Sequence, residues 1–150
     1  TFKKTIMDYI KIKERVFPIG RLDFNTSGLL LLTNDGDFAN KVMHPRYEIN
    51  KTYIVELDEE IDESSLIKIK KGILLEDGKT SPAKVTRRGD KQIEIIIHEG
   101  KNRIIKRMMK KLGYSVNSLE RVKIGSLELG NLKRGEFRHL KNDEIDKIFD

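Results

Sequence analysis

Apolar residues in this chain recur with two rhythms, one near the helical period and one of alternate positions, and the switches between them predict its elements. Phe2, Ile6, Tyr9 and Ile10 share helical spacing and predict an amphipathic helix over 2–12. Leu29, Leu30, Leu31 and Leu32 form a short continuous run bounded by turn residues, which predicts a buried strand over 29–33. Asn34 or Asp35 is suited to cap a helix over about 36–43, with Phe38, Val42 and Met43 facing inward and Pro45 stopping it. Alternation from Lys51 to Leu57 sets Tyr53, Val55 and Leu57 on one face of a strand and Thr52, Ile54 and Glu56 on the other. Leu66, Ile67 and Ile69 predict a helix over 63–71, ended by Gly72. Residues 73–75 and 79–87 read as a hairpin turned on Asp77 and Gly78, and 92–98 as a further strand. The strongest helical pattern covers 102–112. There Ile104, Ile105, Met108, Met109 and Leu112 make one stripe, Arg103, Lys106, Arg107 and Lys110 lie on or beside the other face, and Gly113 closes the helix. Strand material follows over 116–129 with an interruption at Gly125, then a short strand near 137–140 and a last helix near 142–149. Helices interleaved with hairpin-joined strands favour an α+β fold with a mixed, largely antiparallel sheet over a doubly wound parallel one.

Composition and charge narrow the function. Hydrophobic residues make up 37% and charged residues 36% of 150 positions, so one sizeable core is affordable inside a very polar shell. The formal net charge is +6, and its signs are segregated. Residues 101–111 hold six basic side chains and no acidic one, while 56–63 hold six acids in eight positions. A basic helix face favours a polyanionic partner, nucleic acid first. The acidic run reads as a solvated hairpin or helix start. Absence of cysteine rules out disulfides and thiolate metal sites and fits a reducing, cytoplasmic setting. No apolar run reaches the length of a membrane span. His44, His98 and His139 are scattered, without zinc-like spacing. Asp23, Asn25 and Ser27 imitate the opening of a calcium loop, but its twelfth position is Asn34 rather than glutamate. Neither metal, cofactor nor membrane is expected.

Candidate chemistry concentrates where Gly20-Arg21-Leu22-Asp23 leads through Thr26-Ser27-Gly28 into the leucine run. Two glycines bracket a polar loop at the mouth of core structure, where a rigid scaffold can present reactive groups. Taken alone, Asp23 reads at least as well as a turn former or a surface ion pair, and Tyr53 as a core tyrosine. The order of several further motifs adds to this. Thr33-Asn34-Asp35-Gly36-Asp37, His44-Pro45, Lys51-Thr52-Tyr53, Glu99-Gly100-Lys101-Asn102-Arg103, Lys106-Arg107-Met108 and Gly135-Glu136-Phe137-Arg138 follow in register. Together these resemble the bacterial ribosomal pseudouridine synthases, the branch that modifies single uridines in small- or large-subunit ribosomal RNA.

That resemblance implies a pseudouridine synthase fold and a catalytic role for Asp23. The N-glycosidic bond at N1 of a uridine is broken, the uracil turns, and it is rejoined to the ribose through C5. A carboxylate suits the task, because breaking the bond builds positive charge on the sugar that an ionised carboxylate can meet. No cofactor is needed, since the leaving base is also the incoming nucleophile. By the same resemblance Tyr53 stands at the active-site tyrosine and Lys106 at the cation that pairs with the aspartate, where many relatives carry arginine. Arg21 fills the gap of a flipped base or holds a phosphate, and Lys101, Arg103, Arg107, Lys110 and Lys111 are RNA-contact candidates. Asn102-Arg103, where small-subunit enzymes tend to carry a Tyr-His-Gln-like run, favours the large-subunit type. The chain begins at Thr1, and relatives usually carry a small RNA-binding domain and an Asn-Lys-Pro-type strand before this point. Residues 1–150 are therefore expected to be a catalytic domain without them, with a sheet edge open to pairing between copies and the oligomeric state left open. Two other readings compete: an RNA-binding module that uses only the basic helix, and a carboxylate-dependent glycoside hydrolase. The first leaves Asp23 unexplained, and the second lacks a clear partner carboxylate.

Overall fold

The computed structural model describes residues 15–98, 100 and 103–150; the helix expected over 2–12 lies outside them. Along the chain run β1 (Phe17–Pro18), β2 (Thr26–Gly28), β3 (Leu32–Thr33), α1 (Gly36–Met43), a 3₁₀ turn (Pro45–Tyr47) and β4 (Lys51–Leu57). Then come α2 (Glu63–Lys71), β5 (Leu74–Leu75), β6 (Gly78–Lys79), β7 (Lys84–Gly89) and β8 (Gln92–Ile97). The last elements are α3 (Ile104–Leu112), β9 (Val116–Ile124), β10 (Leu127–Glu128) and α4 (Asn142–Lys147).

β4 lies at the middle of the sheet. It pairs antiparallel with β8 on one side and β9 on the other, giving the order β10-β9-β4-β8-β7. β2 joins the outer side of β9 in parallel, so the fold is α+β with a mixed, mostly antiparallel sheet, as the interleaving of elements predicts. Val55 and Leu57 of β4 and Ile93, Ile95 and Ile97 of β8 point to one face. α2 and α3 supply that face with Leu66, Ile69, Ile104, Ile105, Met108 and Met109, and these residues form one cluster. Asp62 caps α2, accepting from the Ser65 amide at 2.7 Å, and Asp35 caps α1 through the Phe38 amide at 3.1 Å. A second cluster joins Ile19, Leu29, Leu31, Ala39, Val42, Ile49, Ile124, Leu127 and Ile148, from the first and last parts of the chain.

Several expectations need correction. The leucine run is not one strand, because its backbone changes partner within it. Thr26–Gly28 pairs with β9, the Leu29 amide still donates to Arg121 O at 2.8 Å, and by Leu31 the partner is the Ile19 amide at 2.8 Å. Only Leu32–Thr33 then pairs with β1. Met43 is 61% and Ile67 49% exposed, because each lies one residue, or about 100° of helix, beyond the buried Val42 and Leu66. The β5–β6 hairpin turns on Glu76 and Asp77 rather than on Asp77 and Gly78, and residues 80–83 interrupt the expected return strand. Residues 137–140 form no strand, since they pair with no backbone among the described residues. Arg138 is instead held through both guanidinium NH2 groups by Glu144 of α4, at 3.0 and 2.7 Å. The acidic run resolves into local roles: Asp62 caps α2, and Glu60 and Glu63 face Arg87.

Candidate active site

Three parts of the chain, far apart in sequence, meet at one cleft. The loop before β2 is tied at its far end by the parallel pairing of Thr26, Ser27 and Gly28 with Leu119, Glu120 and Arg121. A Cβ on Gly28, whose φ is +116°, would run into the Arg121 carbonyl, so only glycine permits so close an approach. Within the loop the Thr26 amide closes on Asp23 O at 2.9 Å, and Asn25 takes a left-handed conformation with φ 66°. Strand β4 sets Tyr53 directly opposite Arg121 of β9. Helix α3 buries its apolar stripe in the larger cluster, which turns Lys106 toward the loop. Its Nζ donates to the Phe24 carbonyl at 2.6 Å.

The resulting cleft has a volume of about 410 Å³. Arg21, Asp23, Lys51, Tyr53, Arg103, Lys106 and Arg121 supply its polar lining, and Ile19, Leu31, Ile105, Leu119 and Ile124 its apolar walls. Asp23, Tyr53 and Lys106 are thus brought together, as the resemblance implies. The contact between Lys106 and the loop differs from that expectation. Its ammonium grips the backbone next to Asp23, and among the described residues no ion pair joins it to the Asp23 carboxylate. At the floor, Arg121 is only 8% exposed and donates from Nε to Leu29 O at 2.9 Å. Beside it, burial lowers the Lys51 ammonium from its usual value, and repulsion by Arg121 lowers it further. Among the described residues neither has a carboxylate within ion-pair distance.

The remaining candidates spread along the rim. Arg103 opens α3 with φ 52° and borders the cleft and two shallower hollows beside it. Arg107 is bound to Asp77 at 2.8 Å, a hydrogen bond and ion pair that raise its already high pKa. Lys110 and Lys111 are exposed on the last turn of α3, and Lys101 lies outside the described residues. Among the described residues no group of three or more His, Asp or Glu is arranged to hold a metal, and no helix is long and apolar enough to cross a membrane. A larger cavity of about 920 Å³ lies between residues 28–35 and 127–140, but none of Asp23, Tyr53 and Lys106 borders it.

A family profile described as RNA pseudouridylate synthase matches residues 1–111, a span that includes Asp23, Tyr53 and Lys106. The chain belongs to this family. It is 44% identical over 153 residues to the ribosomal large subunit pseudouridine synthase B of Bacillus subtilis, covering 97% of this chain and 63% of that protein. To a dual-specificity RNA pseudouridine synthase of Escherichia coli it is 35% identical over 147 residues, with 98% and 51% covered. Among solved structures, a crystal structure of a pseudouridylate synthase superimposes with a TM-score of 0.91 at 36% identity, over 96% of this chain and 65% of that one. The chain therefore spans less than two thirds of the length of these relatives. Within the pseudouridylate synthase framework, three neighbours of the site receive no role from the motifs, although Lys51 stands in one of them. Phe24 is 87% exposed beside Asp23, and Lys51 and Arg121 carry positive charge into the floor. The sequence signals for them are an aromatic within a polar loop and a cation on each of two strands, β4 and β9.

Proposed function

We propose that residues 1–150 form the catalytic part of an RNA pseudouridine synthase acting on a uridine of ribosomal RNA, with large-subunit RNA as the preferred substrate. What carries the reading is one cleft lined by a carboxylate, a tyrosine and several cations drawn from the loop before β2, from β4, from β9 and from α3. A phosphate-binding surface has no use for Asp23 at its centre.

The chemistry follows from charge. As the bond between C1′ and N1 breaks, its electrons leave with the uracil, and positive charge grows on the sugar. The Asp23 carboxylate meets that charge. The departing uracil is an anion, and Lys51 and Arg121 put fixed positive charge at the floor where it turns. Tyr53 offers its ring to the flipped base. Bonding of C5 to C1′ then closes the isomerisation, and the proton lost from C5 is balanced by one gained at N1. Lys106 acts mainly by holding the Phe24 carbonyl, which fixes the loop that presents Asp23. Arg21, Arg103, Arg107, Lys110 and Lys111 follow the phosphates at the rim, and Lys101 is assigned the same partner. The support for large-subunit RNA is the likeness to the Bacillus subtilis protein, whose name gives that substrate.

Replacing Asp23→Asn keeps size and removes charge. On ribosomal RNA from cells lacking the protein, pseudouridine formation is expected to vanish while RNA affinity stays within about twofold, since the loss falls on the transition state and not on phosphate contacts. Appreciable product from that variant would remove Asp23 from the mechanism.

A further inference from the structure

Phe24 is the most exposed of the large apolar side chains among the described residues, at 87%, and it is not on a frayed segment. Its own carbonyl is gripped by Lys106 at 2.6 Å, and the turn around it is closed by the Thr26 amide on Asp23 O. The loop therefore holds a bare aromatic ring out into water, next to the carboxylate that the proposed reaction uses. Among the described residues no other ring and no cation packs on its face, whereas Phe38, Tyr47 and Phe149 all find ring partners. A hollow of about 310 Å³ beside it is bordered by Arg21, Asp23, Asn25, Arg103 and Lys106, so the ring stands among side chains suited to a phosphate backbone.

We propose that Phe24 is a stacking platform for the unpaired nucleobase next to the target uridine in the RNA strand. This rests on the RNA reading of the cleft. An aromatic face set among cations takes a single-stranded base: the ring stacks on its π-face and the cations follow the adjoining phosphates. The site is outside the cleft that would receive the target base, so its occupant is a neighbour in the strand. By holding that neighbour, Phe24 keeps the strand splayed and the target free to turn into the cleft, which makes it a positioning residue.

The absence of tryptophan from the chain provides a direct probe. Phe24→Trp introduces a single indole at the proposed platform, and its emission is expected to be quenched as an oligouridylate is added. Phe24→Ala is expected to weaken binding of the same oligouridylate about tenfold, the worth of one stacked base. Phe24→Leu, apolar but without a π-face, is expected to behave like the alanine variant, and Phe24→Trp like the wild type. If the leucine variant binds as tightly as wild type, or if the indole emission stays unchanged at RNA concentrations that saturate binding in a filter assay, Phe24 is not a platform. The isomerase reading is scored separately, by pseudouridine formation with the unaltered protein. Quenching and the leucine loss in a protein that makes no pseudouridine would keep the platform and discard the reaction.

Discussion

The two apolar clusters are built in opposite ways. The larger one comes from regular elements within one stretch of sequence: β4, α2, β8 and α3 each present an apolar stripe to it, and β7 adds Val85. The smaller one joins the first and last parts of the chain through short strands, α1 and the tail after β10. Ile105 and Leu119 belong to the first cluster, and Ile19, Leu31 and Ile124 to the second, yet all of them wall the Asp23 cleft. The candidate site therefore lies on the seam between a half built of regular elements and a half built of short strands and connecting segments.

The largest effect that tests this contrast is on stability. Met108 is fully buried in the larger cluster, and Met108→Ala is expected to cost about 2–5 kcal/mol in urea unfolding. Ile148 is as deeply buried, but in the smaller cluster. Ile148→Ala is expected to speed amide exchange at Ser126, which donates to Lys147 O, while amides of β4 and β8 keep their protection. Equal acceleration in both halves would show a single cooperative unit and erase the distinction.

A smaller effect concerns the rim beside the larger cluster. If Lys110 and Lys111 track phosphates, replacing either by Gln is expected to reduce the slope of log affinity against log salt by about 0.7 on single-stranded RNA. An unchanged slope would make them solvated side chains only.

The smallest effect belongs to the half that holds the smaller cluster. Arg138 first, and then the Lys141 amide, hold the Glu144 carboxyl down to about 2 from the usual carboxylate value. A depressed carboxylate stabilises the fold above its unfolded pKa, and that contribution is lost as pH falls through about 2. Titration of the Glu144 side chain by NMR is expected to show its midpoint there, and Arg138→Gln to move it toward the ordinary range.

The same contrast governs what could be read in advance. β4, α2 and α3 follow the periods written in their own residues, because each has a stripe that a local pattern can reveal. The leucine run reads as one strand from its own residues, but strand identity depends on the neighbour, and here the neighbour changes from β9 to β1 within the run. Residues 137–140 have strand-like composition but pair with no strand among the described residues. At the site, Asp23, Tyr53 and Lys106 carried weight only as parts of an ordered set of motifs, since each alone has an ordinary structural explanation. Phe24 and Arg121 stand in none of those motifs, and Lys51 enters only as part of Lys51-Thr52-Tyr53, without a role of its own. Their interest lies in an aromatic left in water and cations taken out of it, and both are properties of tertiary contact.

The central claim is that this seam isomerises a uridine in ribosomal RNA. Pseudouridine mapping across ribosomal RNA, from cells carrying the protein and from cells lacking it, tests it most directly. The account predicts that removal leaves a uridine of large-subunit RNA unmodified and that the Asp23→Asn form fails to restore it. An unchanged pseudouridine pattern without the protein, or full restoration by the Asp23→Asn form, would contradict the account.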